Sequence, residues 1–167
     1  MNFRMIFKSL GIVIGIEALC MVPSLIVSLI YAQQDFRAFI YSILITTVVA
    51  ILMYRIKVKT SNFYARDGFA VVALAWILLS LFGSLPFLIS GSIPSPVNAF
   101  FESVSGFSTT GSTILEDIEI LPRGILFWRS FTHWIGGMGV LVLTLAVLPS
   151  VGAGSFHIMK AEATGPS

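Results

Sequence analysis

Residues 100–113 read FFESVSGFSTTGST, a stretch too short and too rich in hydroxyls and glycine to cross a bilayer, yet set between two long apolar runs. How it is placed decides the fold. The 167-residue chain is 56% hydrophobic and 11% charged, with a mean hydropathy of +0.94. A soluble domain carries about a quarter charged residues, so this is an integral membrane protein. A formal charge of +2, with the basic residues beside apolar runs, excludes a nucleic-acid partner. The single Cys20 lies in an apolar run, has no internal disulfide partner and reads as a small apolar packing residue.

Four apolar runs flank the stretch: 10–30, 39–54, 69–89 and 125–148, each near the ~17–25 residues of a membrane helix. The first follows Arg4 and Lys8 but contains Glu17 and Pro23 and lacks a cleavage pattern, so it reads as a retained span. Asp35 and Arg37 cancel after it, whereas Arg55, Lys57, Lys59 and Arg66 oppose only Asp67. Glu116, Asp117 and Glu119 oppose Arg123 before the last run. Basic loops mark the cytoplasmic side. This places the N-terminus, the 55–67 loop and, after four spans, the C-terminus with Lys160 in the cytoplasm.

The same parity requires residues 96–113 to enter and leave on the outer side. Such a re-entrant segment persists at membrane depth only where protein or a water-filled cavity satisfies its backbone. Ser95 is a helix cap, Pro96 suits the first helical position, and Phe100, Phe101, Val104 and Phe107 recur at near-helical spacing. A short helix ending near Gly106 is expected, then an extended loop over Ser108–Thr113, with β-branched threonines and a permissive Gly111. Carbonyls along such a loop can replace the hydration shell of an alkali cation, and the helix's C-terminal half charge favours one. The predicted fold is all-α: four transmembrane helices with a short re-entrant pore helix and filter loop. Residues 1–67 form two peripheral helices, 68–150 a helix, pore loop and helix repeat, and 151–167 a cytosolic exit segment.

Individual residues carry competing readings. Glu102 is expected to be the one acid at membrane depth, supporting the loop through its backbone or through Arg129 and not ligating the ion directly. Arg129 reads first as snorkelling to headgroups, second as that partner. His133 reads as a packed or hydrogen-bonded helix histidine. Gly136, Gly137 and Gly139 permit either close packing or a helix bend. Gly11 and Gly15 form GxxxG, a pattern common in apolar helices that can also serve dimerisation. Trp76, Trp128 and Trp134 read as interface or packing residues. Gly106–Thr113 resembles GxxxxGK[ST] without its lysine or a preceding strand, and GxSxG and HExxH are absent, so the chain is not read as an enzyme.

GSLPF at 83–87, FFESVSGFSTTGST at 100–113 and WRSFTHWIGGMG at 128–139 together resemble the first pore repeat of the Trk/Ktr/HKT family of potassium transporters. The two helices before residue 69 resemble the Trk type. The resemblance implies a selectivity loop at Ser108, Thr109, Thr110 and Gly111, with potassium held by the Thr109, Thr110 and Gly111 carbonyls. A glycine at 111 goes with potassium preference, and a serine there with sodium permeation in plant relatives. It implies no cofactor in this chain, a homodimer in full-length form, a cytosolic nucleotide-binding regulatory subunit, and a bacterial inner-membrane location. The family has four repeats and this chain one, so it is expected to be an N-terminal piece completed by the remaining repeats or by other copies. An inside-negative potential supplies ~2.3 kcal/mol per charge per 100 mV, or roughly fifty-fold accumulation of a monovalent cation. The alternative expectation is a non-conducting membrane scaffold that keeps the pore-repeat shape.

Overall fold

The computed structural model describes residues 3–57 and 65–147, with side chains of the last helix described as far as Gly139. The expectations for Lys59, Lys160 and the exit segment 151–167 lie outside these residues. Among these residues seven helices follow one another: α1 Phe3–Cys20, α2 Val22–Ile30, α3 Phe36–Tyr54, α4 Ala65–Gly83, α5 Leu85–Ile89, α6 Pro96–Phe107 and α7 Arg123–Val147. No strand occurs among the described residues. Among the described residues three stretches are long and apolar enough to cross a membrane: Phe3–Ile30, Phe36–Tyr54 and Arg66–Ile89.

Proline sets two of the breaks. Pro23 and Pro86 stand in the first turns of α2 and α5, where their missing N–H groups would lack an intrahelical acceptor anyway. The first apolar run is therefore two helices meeting at Met21, and the third is a long helix with a short one added after Ser84. The α2 end is closed by Ala32 at a φ of 51°. The amides of Ala32 and Gln33 return to the carbonyls of Leu29 and Ser28 at 3.1 and 3.2 Å, which satisfies the otherwise orphaned helix end.

The core forms where α2, α3, α5, α6 and α7 converge, around Met21, Phe39, Phe87, Phe107, Ile125 and Trp128. Trp128 is fully buried and donates from Nε1 to the Gly83 carbonyl at 2.9 Å, while its ring meets Phe107 edge-on with centroids 6.4 Å apart. It thereby ties α7 to the end of α4 and the end of α6. Trp128→Phe keeps much of the ring contact but leaves the Gly83 carbonyl without this donor. A loss of about 1–3 kcal/mol is expected, seen as a lowered thermal midpoint of the purified chain in detergent.

Two of the polar loop residues are tied into the fold. Asp35, whose charge reads from sequence only as cancelling that of Arg37, is buried and accepts a hydrogen bond from Ser28 Oγ. Gly124 makes room for it, since a β-carbon there would lie 2.5 Å from Asp35 Oδ2. Gln33 Oε1 accepts from the first amide of α7, Arg123 N, at 2.6 Å. The start of α7 is thus held by the α2–α3 turn, ninety residues earlier in the chain. GxxxG is likewise used within the chain. A β-carbon on Gly11 would sit 2.8 Å from Tyr54 N and 2.9 Å from Ala50 O, so α1 and α3 approach backbone to backbone.

Candidate functional site

The site is built on α6. Ser95 has extended backbone, with φ −80° and ψ 121°, and its hydroxyl accepts from Asn98 N at 3.5 Å. Pro96 follows at the first helical position. The helix runs one residue beyond Gly106, to Phe107, and buries Ala99, Glu102, Ser103, Ser105, Gly106 and Phe107.

Beyond Phe107 the chain does not take the extended path expected from the threonines. Ser108 is still right-handed and Thr109 takes a φ of 57°. The amides of Thr109 and Thr110 turn back to the carbonyls of Gly106 and Ser105 at 3.0 and 3.1 Å. This is a left-handed helix cap, in which a β-branched residue occupies the position where glycine is usual. Closing the helix overrides the threonine's extended preference because burial leaves the α6 carbonyls no water to bond. Gly111 then supplies a second positive φ, 76°. A β-carbon there would have nothing within 4 Å, so its constraint is the backbone conformation, not crowding.

Side chains tie the returning segment to the helix. Ser105 Oγ donates to the Ser112 carbonyl at 2.5 Å. Glu102 Oε2 accepts from Thr113 Oγ1 at 3.0 Å and from Ile114 N at 3.3 Å. Its other oxygen accepts from Arg129 Nε at 2.6 Å. Glu102 and Ser105 are three apart on the same face of α6, which sets the register of the segment against the helix. Arg129 is mostly buried against this carboxylate, 15% exposed, so pairing replaces the snorkelling read first from sequence. The Arg129 carbonyl meets His133 Nδ1 at 2.9 Å, which requires that nitrogen to carry the proton.

Residues Ser108–Thr113 are exposed. Within the loop, Thr109 Oγ1 donates to the Ser108 carbonyl at 2.7 Å, and Ser108 Oγ lies 2.7 Å from Thr110 Oγ1. Among the described residues no donor takes the carbonyl of Thr109, Thr110 or Gly111. Three consecutive carbonyl oxygens therefore stand uncommitted just beyond a helix end whose dipole favours a cation.

Glycines set how closely α7 backs this arrangement. A β-carbon on Gly136 would fall 2.0 Å from the Phe107 carbonyl oxygen, and one on Gly106 would fall 2.2 Å from Thr132 Oγ1. Gly139 faces the Trp76 ring at 3.3 Å, whereas Gly137 has its nearest neighbour, Thr109 Cγ2, at 3.9 Å. The three glycines are thus unequal: Gly136 permits the helix contact and Gly137 does not limit it. Helix α7 runs through them without interruption.

One buried acid near this site is not among the residues expected from sequence. Glu17, and not Glu102 alone, is an acid inside an apolar stretch: it is buried on α1, and neither carboxyl oxygen has a hydrogen-bond partner among the described residues. It lies behind α6, 3.1 Å from where a Gly83 β-carbon would be, a point also 2.6 Å from Phe107 Cε2. An acid in an apolar run is the signal that could have found it. In the sequence it speaks as readily against a cleaved leader as for a buried site.

Comparisons with known proteins point one way. The family model described as TrkH, cation transport protein, matches residues 31–167. The chain is 40% identical over 99% of its length to the Trk system potassium uptake protein TrkH of Halomonas elongata. It is 34% identical over 99% of its length to the Trk system potassium uptake protein TrkG of Escherichia coli. It covers 35% and 34% of these relatives. The crystal structure of the potassium transporter TrkH from Vibrio parahaemolyticus superposes with a TM-score of 0.85 at 35% identity, over 93% of this chain and 34% of that one. The chain spans about a third of the length of the proteins it matches.

Proposed function

Since the chain belongs to the TrkH family of cation transport proteins, we propose that it supplies the first of four pore repeats of a potassium uptake protein, preceded by two peripheral spans, α1 with α2 and then α3. On this reading α4 with α5, α6 with its loop, and α7 are the outer helix, pore helix with filter, and inner helix of the repeat. The crossing of the membrane by α7, with both termini cytoplasmic, belongs to the same proposal. The observation that carries it is the run of uncommitted carbonyls at Thr109, Thr110 and Gly111, held at the end of α6. Oxygens of this kind take up a dehydrated alkali cation without binding it as tightly as a carboxylate would.

In this mechanism the protein moves the ion down its electrochemical gradient, and each part of the repeat has a passive task. The cap at Thr109 turns the chain out of α6 and exposes the carbonyls. Ser105 and Glu102 fix the segment after them, and Arg129 keeps Glu102 from reaching the ion. The names of the relatives, potassium uptake proteins of the Trk system, support potassium as the ion. They also support a further component of a Trk system; as part of this proposal we take that partner to be a cytosolic nucleotide-binding regulatory subunit, and the full-length form to be a dimer in the inner membrane.

The test is potassium uptake by cells lacking their own high-affinity systems. They would express either this chain or a Vibrio parahaemolyticus TrkH whose corresponding third is replaced by it. The chimera is expected to restore uptake, and its Gly111→Ser form to lose it or to admit sodium. A side chain at a φ of 76° is strained by about 1–2 kcal/mol, enough to shift the carbonyls. Rescue by the chain alone would mean that single repeats assemble. A Gly111→Ser chimera that reaches the membrane and conducts identically to the unmodified one would overturn the filter assignment.

A further inference from the structure

A groove of about 280 Å³ runs along the outside of the α1–α3 pair. Its floor is made of small residues, Gly15, Ala18 and Ala50, and its walls of Ile12, Leu19 and Ile51. Small residues keep the two helices close while leaving a furrow between the larger side chains on either side. It is bounded by Gly11 and Val22 along α1 and the start of α2, and by Ile43 and Tyr54 on α3.

Both pairs of boundaries are eleven residues apart, which at 1.5 Å per residue is about 16 Å. Half of a ~30 Å hydrocarbon core is about the same depth. The furrow therefore serves one leaflet. A packed helix would need it to continue across the other leaflet along α2, but it stops at Val22, beside the break at Met21.

The end at Tyr54 is basic. Lys8 Nζ lies 5.1 Å from the centroid of the Tyr54 ring, and the same residue lines the furrow. Arg4 is one turn from Lys8 on α1, and Arg55 and Lys57 come just after Tyr54. No acidic residue occurs in 1–16 or 36–66. An apolar channel of single-leaflet depth ending in clustered positive charge matches one acyl chain and the phosphate of an anionic phospholipid.

We propose that the α1–α3 furrow is a binding site for an anionic phospholipid of the leaflet on the Lys8 side, its acyl chain lying over Gly15 and Ala50 and its headgroup held by Lys8 and Arg55. This proposal does not depend on conduction. The membrane interior offers no hydrophobic advantage to the bound acyl chain, so packing in the furrow and headgroup charge together give the selectivity.

The chain would be transferred from mixed micelles, holding phosphatidylglycerol and phosphatidylcholine of identical acyl chains, into native mass spectrometry. Preferential retention of phosphatidylglycerol, on the order of tenfold, is expected. Lys8→Ala with Arg55→Ala should remove the preference, and Gly15→Leu should remove retention of both lipids. If Gly15→Leu fails to fold, Ile12→Trp on the exposed rim blocks the furrow without entering the helix contact. Equal retention of the two lipids by the unmodified chain would overturn the proposal. So would retention unchanged by a blocked furrow, or efficient cross-linking of Gly15→Cys to a second copy in native membranes, which would make the furrow a helix interface.

Discussion

Gly136→Ala is expected to reduce potassium uptake by the chimera roughly tenfold or more, while Gly137→Ala leaves it near the unmodified level. The two positions are neighbours on one helix and share the same loss of backbone freedom, so a general effect of helix stiffening would move them together. They differ in what a single added methyl meets. At 136 it meets the backbone of Phe107, with carbonyl oxygen, carbon and α-carbon at 2.0, 2.7 and 2.9 Å, whereas at 137 the nearest atom is 3.9 Å away. No side-chain rotation can relieve a clash with backbone. Either α7 retreats or the end of α6 does, at about 1–3 kcal/mol or more, and every 1.4 kcal/mol is about tenfold. Uptake normalised to the amount of protein in the membrane, together with the thermal midpoint in detergent, checks this. If Gly136→Ala conducts normally, Phe107 and the loop above it are not held by α7. If Gly137→Ala is equally damaging, bending at the glycines is the better account.

The second large effect concerns Glu102 and Arg129. Glu102→Gln is expected to preserve the acceptor for Thr113 and Ile114 while leaving the Arg129 charge without its counterion. Breaking a buried pair by removing one partner costs about 3–5 kcal/mol, and Glu102 of this pair also holds the segment that follows the uncommitted carbonyls. The expected result is impaired assembly or a lowered potassium-to-sodium ratio, with half-saturation for potassium changed less. Arg129→Gln should do similar damage, and the double variant less than the sum, with a coupling of roughly 0.5–3 kcal/mol. Normal selectivity and normal membrane abundance in Glu102→Gln would remove the carboxylate from any supporting role.

Local sequence reaches some of this site and not the rest. The start of α6 was legible because Ser95 and Pro96 act on backbone groups within three residues of themselves. The membrane class and the positions of the first three apolar stretches were legible because partition into a bilayer sums over composition. The loop was legible as a place, since glycine and hydroxyl residues between apolar runs have few other uses there. Its conformation was not. Thr109 reads as extended from its side chain alone, and only the need to close the buried end of α6 turns it left-handed.

Composition and local pattern are enough to make the chain a membrane protein built of apolar helices, with one short capped helix and an oxygen-rich loop between two of them. Those properties depend on transfer free energies and on backbone preferences that act over a few residues. Helix packing, in contrast, decided that Arg129 meets Glu102 twenty-seven positions away, and that Gly136, not Gly137, is the contact glycine. It also decided that Gly11 serves α3 within the same chain, and that Glu17 is sealed behind Phe107. Each of these is a distance between helices. Such a distance is set by how whole faces interlock, and no periodicity within a single helix records it.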